Sequence, residues 1–143
     1  MIIVSEVFAW VWPAGRLNQA RGSVTLASDT TKTETLAVPA GKIWLVLAIM
    51  MHNGDDVSRT MYADIVDASG NKLHNLGERS STPAGSYVEI LGYVPTAGTY
   101  HGGFGAKPVL VKGGNKINLV WSAGGASSGG TAYYCVTYLE VEA

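Results

Sequence analysis

The chain has 143 residues, of which 47% are hydrophobic and only 15% are charged, and its formal net charge is −1. This length fits one domain, because a single hydrophobic core is usually built from about 100 to 150 residues. The single cysteine, Cys135, excludes an internal disulfide, and the ten basic residues, scattered between Arg16 and Lys116, argue against nucleic acid as a partner, which needs several basic side chains on one face.

The first half of the sequence predicts β-strands separated by short turns. Segments rich in Val, Ile, Thr and Trp alternate with Gly, Pro, Asp and Ser, and no stretch has a helical apolar period. The predicted strands are Ile2–Trp12, Ser23–Ala27, Thr33–Val38 and Ile43–Met51, with a turn and a polar stretch over residues 13–22. Ile43–Met51 is continuously apolar, so we expect a central strand that is buried on both faces.

The second half of the sequence continues the same pattern. Its predicted strands are Arg59–Asp67, Lys72–Leu76, Tyr87–Leu91, Lys116–Ser122 and Thr131–Val141. About eight strands at a spacing of roughly ten residues are typical of a sandwich or barrel. We therefore predict an all-β, antiparallel β-sandwich of the jelly-roll type over residues 23–143, preceded by an N-terminal apolar strand or arm and a linker over residues 1–22.

The opening segment, MIIVSEVFAWVW, carries apolar side chains on both faces of its predicted strand. It has no basic start and contains Glu6, so we do not expect a signal peptide. An exposed edge strand of this kind would template aggregation, so we expect it to be covered, either by the chain's own sheet or by a neighbouring molecule. The bulky side chains Phe8, Trp10 and Trp12 lie on one face of this strand and favour contact with a partner subunit. The predicted interface residues are Ile2, Val4, Phe8, Trp10 and Trp12.

The low charge also predicts an oligomer. Charged side chains are depleted from the cores of protein interfaces, and here most of the exterior must be neutral, small or covered. A membrane is not an expected partner, since a spanning helix takes about 20 apolar residues and no stretch of the sequence reaches that length.

No catalytic, metal or cofactor site is expected. The histidines His52, His74 and His101 lack the spacing of zinc ligands. Asp67 and Asn71 bracket a tight turn, in which we expect their side chains to bond the backbone. We therefore predict that the protein is not an enzyme.

Two further features have a structural interpretation that we favour over a functional one. Cys135 lies inside an apolar strand, which predicts a small core residue and not a nucleophile. Aromatic rings stack on sugars, but tyrosines also fill sandwich cores and subunit contacts, and the latter is the favoured interpretation. The aromatic residues concerned are Tyr87, Tyr93, Tyr100, Phe104, Tyr133, Tyr134 and Tyr138.

The stretches LAVPAGKIWLVLAI, VSRTMYADIVDASGNKL, VKGGNKINLVWSAGG and YYCVTYLEVEA resemble small β-sandwich proteins of tailed bacteriophages, especially capsid decoration (cement, or auxiliary head) proteins. The resemblance covers residues 23–143 and concerns the strand pattern and turns. It implies a non-enzymatic virion protein that binds the outer capsid surface as a homotrimer, with the major capsid protein as partner, and stabilises the head shell.

The same resemblance leaves an alternative open, because tail and fibre proteins share similar sandwiches. The alternative function is a carbohydrate- or receptor-binding module of a phage tail or fibre or of a cell surface. In that case the tyrosines and glycine-rich loops of residues 85–134 would contact the ligand.

Overall fold

The computed structural model describes residues 16–91 and 108–143, and these residues form nine β-strands and no helix. In chain order the strands are β1 (Arg16–Leu26), β2 (Lys32–Ala37), β3 (Lys42–His52), β4 (Arg59–Val66), β5 (Lys72–Thr82), β6 (Tyr87–Glu89), β7 (Val109–Lys112), β8 (Lys116–Trp121) and β9 (Gly130–Glu142).

The strands form two antiparallel sheets. The five-stranded sheet has the order β1-β9-β3-β6, with β7 also paired to β3, and the four-stranded sheet has the order β2-β8-β4-β5. The first four strands alternate between the two sheets, so the connections cross from sheet to sheet as in a jelly roll. The predicted fold class, an all-β jelly-roll-like sandwich, is confirmed.

Strands β6 and β7 share one edge of β3. β6 pairs with Met50–His52 at one end, and β7 pairs with Ile43–Val46 at the other end. Strand β7 was not predicted from the sequence, because its four residues are too few for an alternating pattern to stand out.

The core lies between the sheets and is built from the inward side chains of both. Trp121 is fully buried and donates a hydrogen bond from Nε1 to the carbonyl oxygen of His52, at 2.9 Å, which links the four-stranded sheet to the end of β3. Trp44 stacks on Tyr138 with ring centroids 3.8 Å apart, and its Nε1 donates to Glu140 Oε2. Both buried indoles therefore have a hydrogen-bond acceptor, as buried tryptophans require.

The prediction that β3 is buried on both faces was wrong. The pairing of β3 with β9 shifts register between Val46 and Ala48, so Leu47 is the extra residue of a β-bulge. Trp44 and Val46 point inward before the bulge, and Ile49 and Met51 point inward after it. The bulge hides the alternation in the sequence, and the outward side chains of β3 are half-buried or exposed.

Strand β1 also differs from its prediction. It begins at Arg16, and all of Arg16–Leu26 pairs with β9, whereas the sequence placed a linker up to Gly22. The sequence of β1 does not show a clear strand pattern, because most of its outward positions are polar and its inward ones include Gly22 and Ala20. The predicted strand Ile2–Trp12 lies outside the described residues, and the division into an arm and a sandwich stays a prediction.

Candidate assembly surface

Four leucines lie side by side across the five-stranded sheet, one on each of four neighbouring strands. Leu139 of β9 pairs with Leu17 of β1 on one side and with Leu45 of β3 on the other. Leu45 in turn pairs with Leu110 of β7. Neighbouring strands are about 4.8 Å apart, so these four side chains, which we call the leucine row, span about 15 Å.

The leucine row points away from the core. The residues next to it along the strands, such as Trp44 and Val111, point inward, and side chains alternate between the two faces of a strand. At the two edges of the row, Leu17 is 54% and Leu110 is 65% exposed, whereas the central Leu139 is buried between its neighbours.

The same face carries nearly all of the exposed apolar surface of the described residues. The described residues include six exposed large hydrophobic side chains, and five of them lie on this face: Leu17, Met50, Tyr87, Leu110 and Tyr133. The other one, Leu73, lies in β5 of the four-stranded sheet. We call the outward side of the five-stranded sheet the leucine face. Exposed apolar residues are ordinary when scattered, but a set gathered on one face marks an interaction surface.

An aromatic cluster occupies the end of the leucine face opposite the leucine row. The ring of His52 stacks on Tyr87 with centroids 4.2 Å apart and lies 5.4 Å from the ring of Tyr133. Burial lowers the pKa of His52, because desolvation disfavours the charged imidazolium. The imidazole therefore adds a neutral ring to this surface at neutral pH.

An open cleft of about 570 Å³ lies beside the aromatic cluster. Its walls come from β1, β3 and β9, and the lining residues are Gln19, Arg21, Gly22, Ser23, Met50, Tyr133, Tyr134 and Cys135. Cys135 is partly exposed there and pairs with Met50, so the prediction that it is a core residue was wrong. The outward position follows from the pairing register, which a single strand sequence does not reveal.

Few charges lie on the leucine face. Arg21 donates from Nη2 to Gln19 Oε1, at 2.7 Å, and Lys112 is exposed at the end of β7. Glu89 is half-buried, and its Oε1 accepts hydrogen bonds from the backbone N–H groups of Ile49 and Leu91. Burial raises the pKa of Glu89, although these hydrogen bonds and Arg79 oppose the rise. The freely presented charges of this face are therefore positive.

The outward side of the four-stranded sheet, which we call the polar face, has the opposite chemistry. Thr35 donates to Asn118 Oδ1 at 2.8 Å across the β2–β8 pair. Asp64 accepts from Asn75 Nδ2 at 2.8 Å and forms an ion pair with Lys72 at 3.2 Å. Hydroxyl, amide and charged groups thus satisfy one another on this face.

A buried ion pair ties together the loops at one end of the sandwich. Arg59 and Asp55 are both fully buried, and Nε of Arg59 donates to Asp55 Oδ2 at 2.8 Å. The same guanidinium donates to the carbonyl oxygens of Ala27, Thr30 and Ser122, in the β1–β2 and β8–β9 loops. One side chain therefore holds three loops in place.

The electrostatics of Asp55 follow from these contacts. Burial opposes its ionisation, but hydrogen bonds from Arg59, the Asp56 N–H and Ser127 outweigh burial and lower the pKa from 3.8 to about 2. Nothing in the sequence pointed to this pair, because Asp55 and Arg59 lie in a segment that reads as an ordinary polar loop followed by a strand.

The residues predicted as an interface, Ile2, Val4, Phe8, Trp10 and Trp12, lie outside the described residues. Of the predicted aromatic candidates, Tyr87 and Tyr133 lie on the leucine face, and Tyr134 and Tyr138 pack against the core. Tyr93, Tyr100 and Phe104 lie outside the described residues. The leucine row itself was missed, because it depends on pairing between strands that are far apart in the sequence.

The structure also bears on a predicted turn, on metal ligands and on membrane-spanning helices. Asp67 accepts hydrogen bonds from the backbone N–H groups of Ser69 and Asn71, which confirms the predicted turn. Within residues 16–91 and 108–143, no group of three or more His, Cys, Asp or Glu side chains is placed to hold a metal ion. The described part of the chain also contains no helix that is long and apolar enough to cross a membrane.

Comparisons with known proteins give distant likenesses. No protein-family model matches the chain, and no curated protein matches it. Among solved structures, the infectious bursal disease virus Gt strain contains a chain with 10% identity and a TM-score of 0.44, which matches 90% of this chain. The structure of the Gx strain gives 11% identity and a TM-score of 0.35 over 87% of this chain.

This chain covers about a third of each of those viral chains, 33% and 32% respectively. Both TM-scores lie below 0.5, so these two likenesses carry no part of the functional proposal.

Proposed function

We propose that the protein is a non-enzymatic structural protein of a virion, and specifically a capsid decoration protein that binds the outer head shell as an oligomer. A homotrimer is the favoured assembly, and the major capsid protein is the proposed partner in the shell. The phage-protein resemblance of residues 23–143 suggests this role, and the jelly-roll topology agrees with it, since jelly rolls build many viral capsid domains.

The leucine face is the observation that carries the proposal. Five of the six exposed large hydrophobic side chains of the described residues gather on it. Four strands at about 4.8 Å and about eleven residues at 3.3 Å give the face an area of roughly 700 Å². A standard protein interface buries about 800 Å² on each partner, so the face has the size of one complete interface.

The energetics favour assembly on this face. Burying a fully exposed leucine is worth about 2 kcal/mol, and Leu17 and Leu110 are 54% and 65% exposed, so together they offer about 2 to 3 kcal/mol to a partner that covers them. Many copies on a shell need only modest affinity each, because multivalent attachment multiplies it. Attachment of many copies to a capsid shell would therefore bury the leucine face with modest affinity for each copy.

The test is binding to undecorated heads. Purified full-length protein is added to phage heads that lack their decoration protein, and the particles are imaged by electron microscopy. We expect additional density at regular positions on the outer surface, and greater resistance of the decorated heads to heat. Heads that stay bare at saturating protein concentration would reject the proposal.

A second candidate function is carbohydrate or receptor binding, and the aromatic cluster supports it. Tyr87 and Tyr133 are 61% and 47% exposed and lie beside the open cleft, where Arg21 and Gln19 offer hydrogen bonds for hydroxyl groups. Exposed rings next to polar side chains suit a sugar. A glycan array distinguishes the two functions: specific binding that Tyr133→Ala abolishes would favour this candidate over decoration.

A further inference from the structure

We infer that the leucine face is the docking site for the N-terminal segment, residues 1–15, of a neighbouring copy of the chain. The inference rests on the proposed function, because it names the contact that would hold the oligomer together. Its supports are the chemistry of the two surfaces, their charges, the reach of the segment and the place where the segment joins the sheet.

The two surfaces match in polarity. The leucine face is the apolar surface that the described residues leave exposed, with Leu17 and Leu110 at its edges. The N-terminal segment carries an alternating row of bulky apolar side chains and a single charged residue, Glu6. Apolar surfaces of this kind associate because the contact removes both of them from water.

The two surfaces also match in charge. Glu6 lies on the same side of the period-two pattern as Phe8 and Trp10. The leucine face presents Arg21, whose hydrogen-bond partner among the described residues is the neutral Gln19. A lone carboxylate in the segment would therefore meet a guanidinium that has no carboxylate partner in the described part of its own chain. Arg–carboxylate contacts across an interface fix register as well as partner.

The segment is long enough to cross the face of another copy. Twelve extended residues reach about 40 Å, whereas the leucine row spans about 15 Å. The segment joins β1 at Arg16, one residue before Leu17, and β1 is an edge strand of the same sheet. The segment therefore starts at the rim of the leucine row.

A neighbouring copy is the favoured donor of the segment because of the geometry at the edge of the sheet. A segment that turned back at Pro13-Ala14-Gly15 would run beside the free edge of its own β1, in the plane of the sheet, and leave the leucine row open. A segment that stays extended through these residues leaves the edge of its own sheet. It is then long enough to cross the leucine row of another copy.

A charge-reversal cycle in the full-length chain tests the inference. Glu6→Lys and Arg21→Glu should each weaken self-association about tenfold, and the double variant should recover most of that loss, because the pair is restored with its charges exchanged. Glu78→Lys on the four-stranded sheet is the control and should leave assembly unchanged. If the two losses of self-association are additive in the double variant, Glu6 and Arg21 are not in contact, and the inference is refuted.

Photocrosslinking identifies the donor copy. A benzophenone amino acid replaces Leu110, and ¹⁵N-labelled and unlabelled chains are mixed, assembled and irradiated. We expect cross-linked peptides that join position 110 of one isotope to residues 1–15 of the other. Cross-links confined to chains of the same isotope, or cross-links to a different region, would overturn the inference.

The oligomeric state and head binding of the unmodified chain are measured in parallel. An assembling, head-binding protein whose position 110 cross-links elsewhere would refute this docking mode alone. A monomer that leaves heads bare would refute the proposed function and, with it, the docking mode.

Discussion

The two outer faces of the sandwich have the same architecture and opposite chemistry. On the polar face, Asp64 is shared by Asn75 and Lys72, and Thr35 bonds Asn118. On the leucine face, Leu17 and Leu110 are exposed to solvent, and Arg21 is a charged group on the edge strand β1. Both sheets bury their inner faces in one core, so the fold does not require an apolar exterior. From this difference we propose that the leucine face has a role outside the folding of a single copy.

The largest effect on self-association is expected when the leucine face is made polar. Leu17→Glu combined with Leu110→Glu removes about 2 to 3 kcal/mol of leucine burial and places two carboxylates in the contact, each of which costs at least about 1 kcal/mol to bury. We expect self-association to weaken by more than about 1000-fold, with the circular dichroism spectrum of the folded chain unchanged. Analytical ultracentrifugation measures the effect.

The matched control places the same charges on the other sheet. Thr33 and Ala37 are exposed outward positions of the edge strand β2. Thr33→Glu with Ala37→Glu should leave assembly as it is. Equal losses from both double variants would mean that the two faces do not differ in function.

The next largest effect is expected on the stability of the fold, from a substitution that lies on neither outer face. Asp55→Asn leaves the guanidinium of Arg59 buried without its anion, which should lower the free energy of unfolding by about 3 to 5 kcal/mol. Chemical denaturation measures the loss. At temperatures where the variant remains folded, its assembly should match that of the parent; a variant that keeps full stability would show that the loops do not depend on this pair.

Low pH should remove the stabilisation that the Asp55 carboxylate provides. The pKa of Asp55 is lowered from 3.8 to about 2, so its carboxylate stabilises the fold fully above about pH 4 and loses that effect as the pH falls towards 2. The stability gap between the parent and Asp55→Asn should therefore narrow by roughly 2 kcal/mol between pH 5 and pH 2. A gap that is constant over this range would contradict the assignment.

The smallest effect is expected on the polar face. Lys72 is more than half exposed in its ion pair with Asp64, and surface pairs contribute about 0 to 1 kcal/mol. Lys72→Gln should thus change the unfolding free energy by less than about 1 kcal/mol and leave assembly intact. A loss as large as that of Asp55→Asn would show that the exposed pair is as important as the buried one.

The fold could be predicted from the sequence because strand and turn patterns are local. Strands β2, β4 and β8 were placed within about a residue of their observed bounds, since their turns and apolar runs are clear. The bulge at Leu47 and the polar start of β1 escaped prediction, because pairing with β9 determines both. Local propensity does not report a partner strand that is about a hundred residues away.

The candidate site was less predictable than the fold. The sequence predicted an apolar interface at residues 2–12, and this stays a prediction. It did not reveal the leucine row, since Leu17, Leu45, Leu110 and Leu139 come from four segments that meet only through the strand order. Gly54 shows the same limit: a Cβ there would lie 1.8 Å from the carbonyl oxygen of Thr131, a close approach that no local motif encodes.

Hydroxyl-radical footprinting of the full-length chain at two concentrations tests the central claim most directly. Five exposed probes lie on the leucine face, and Leu73 in β5 is the internal control. We predict that Leu17, Met50, Tyr87, Leu110 and Tyr133 become protected as the protein is concentrated, while the oxidation of Leu73 stays constant. Oxidation of the five probes that does not change with concentration would contradict the assignment of the leucine face as an assembly surface.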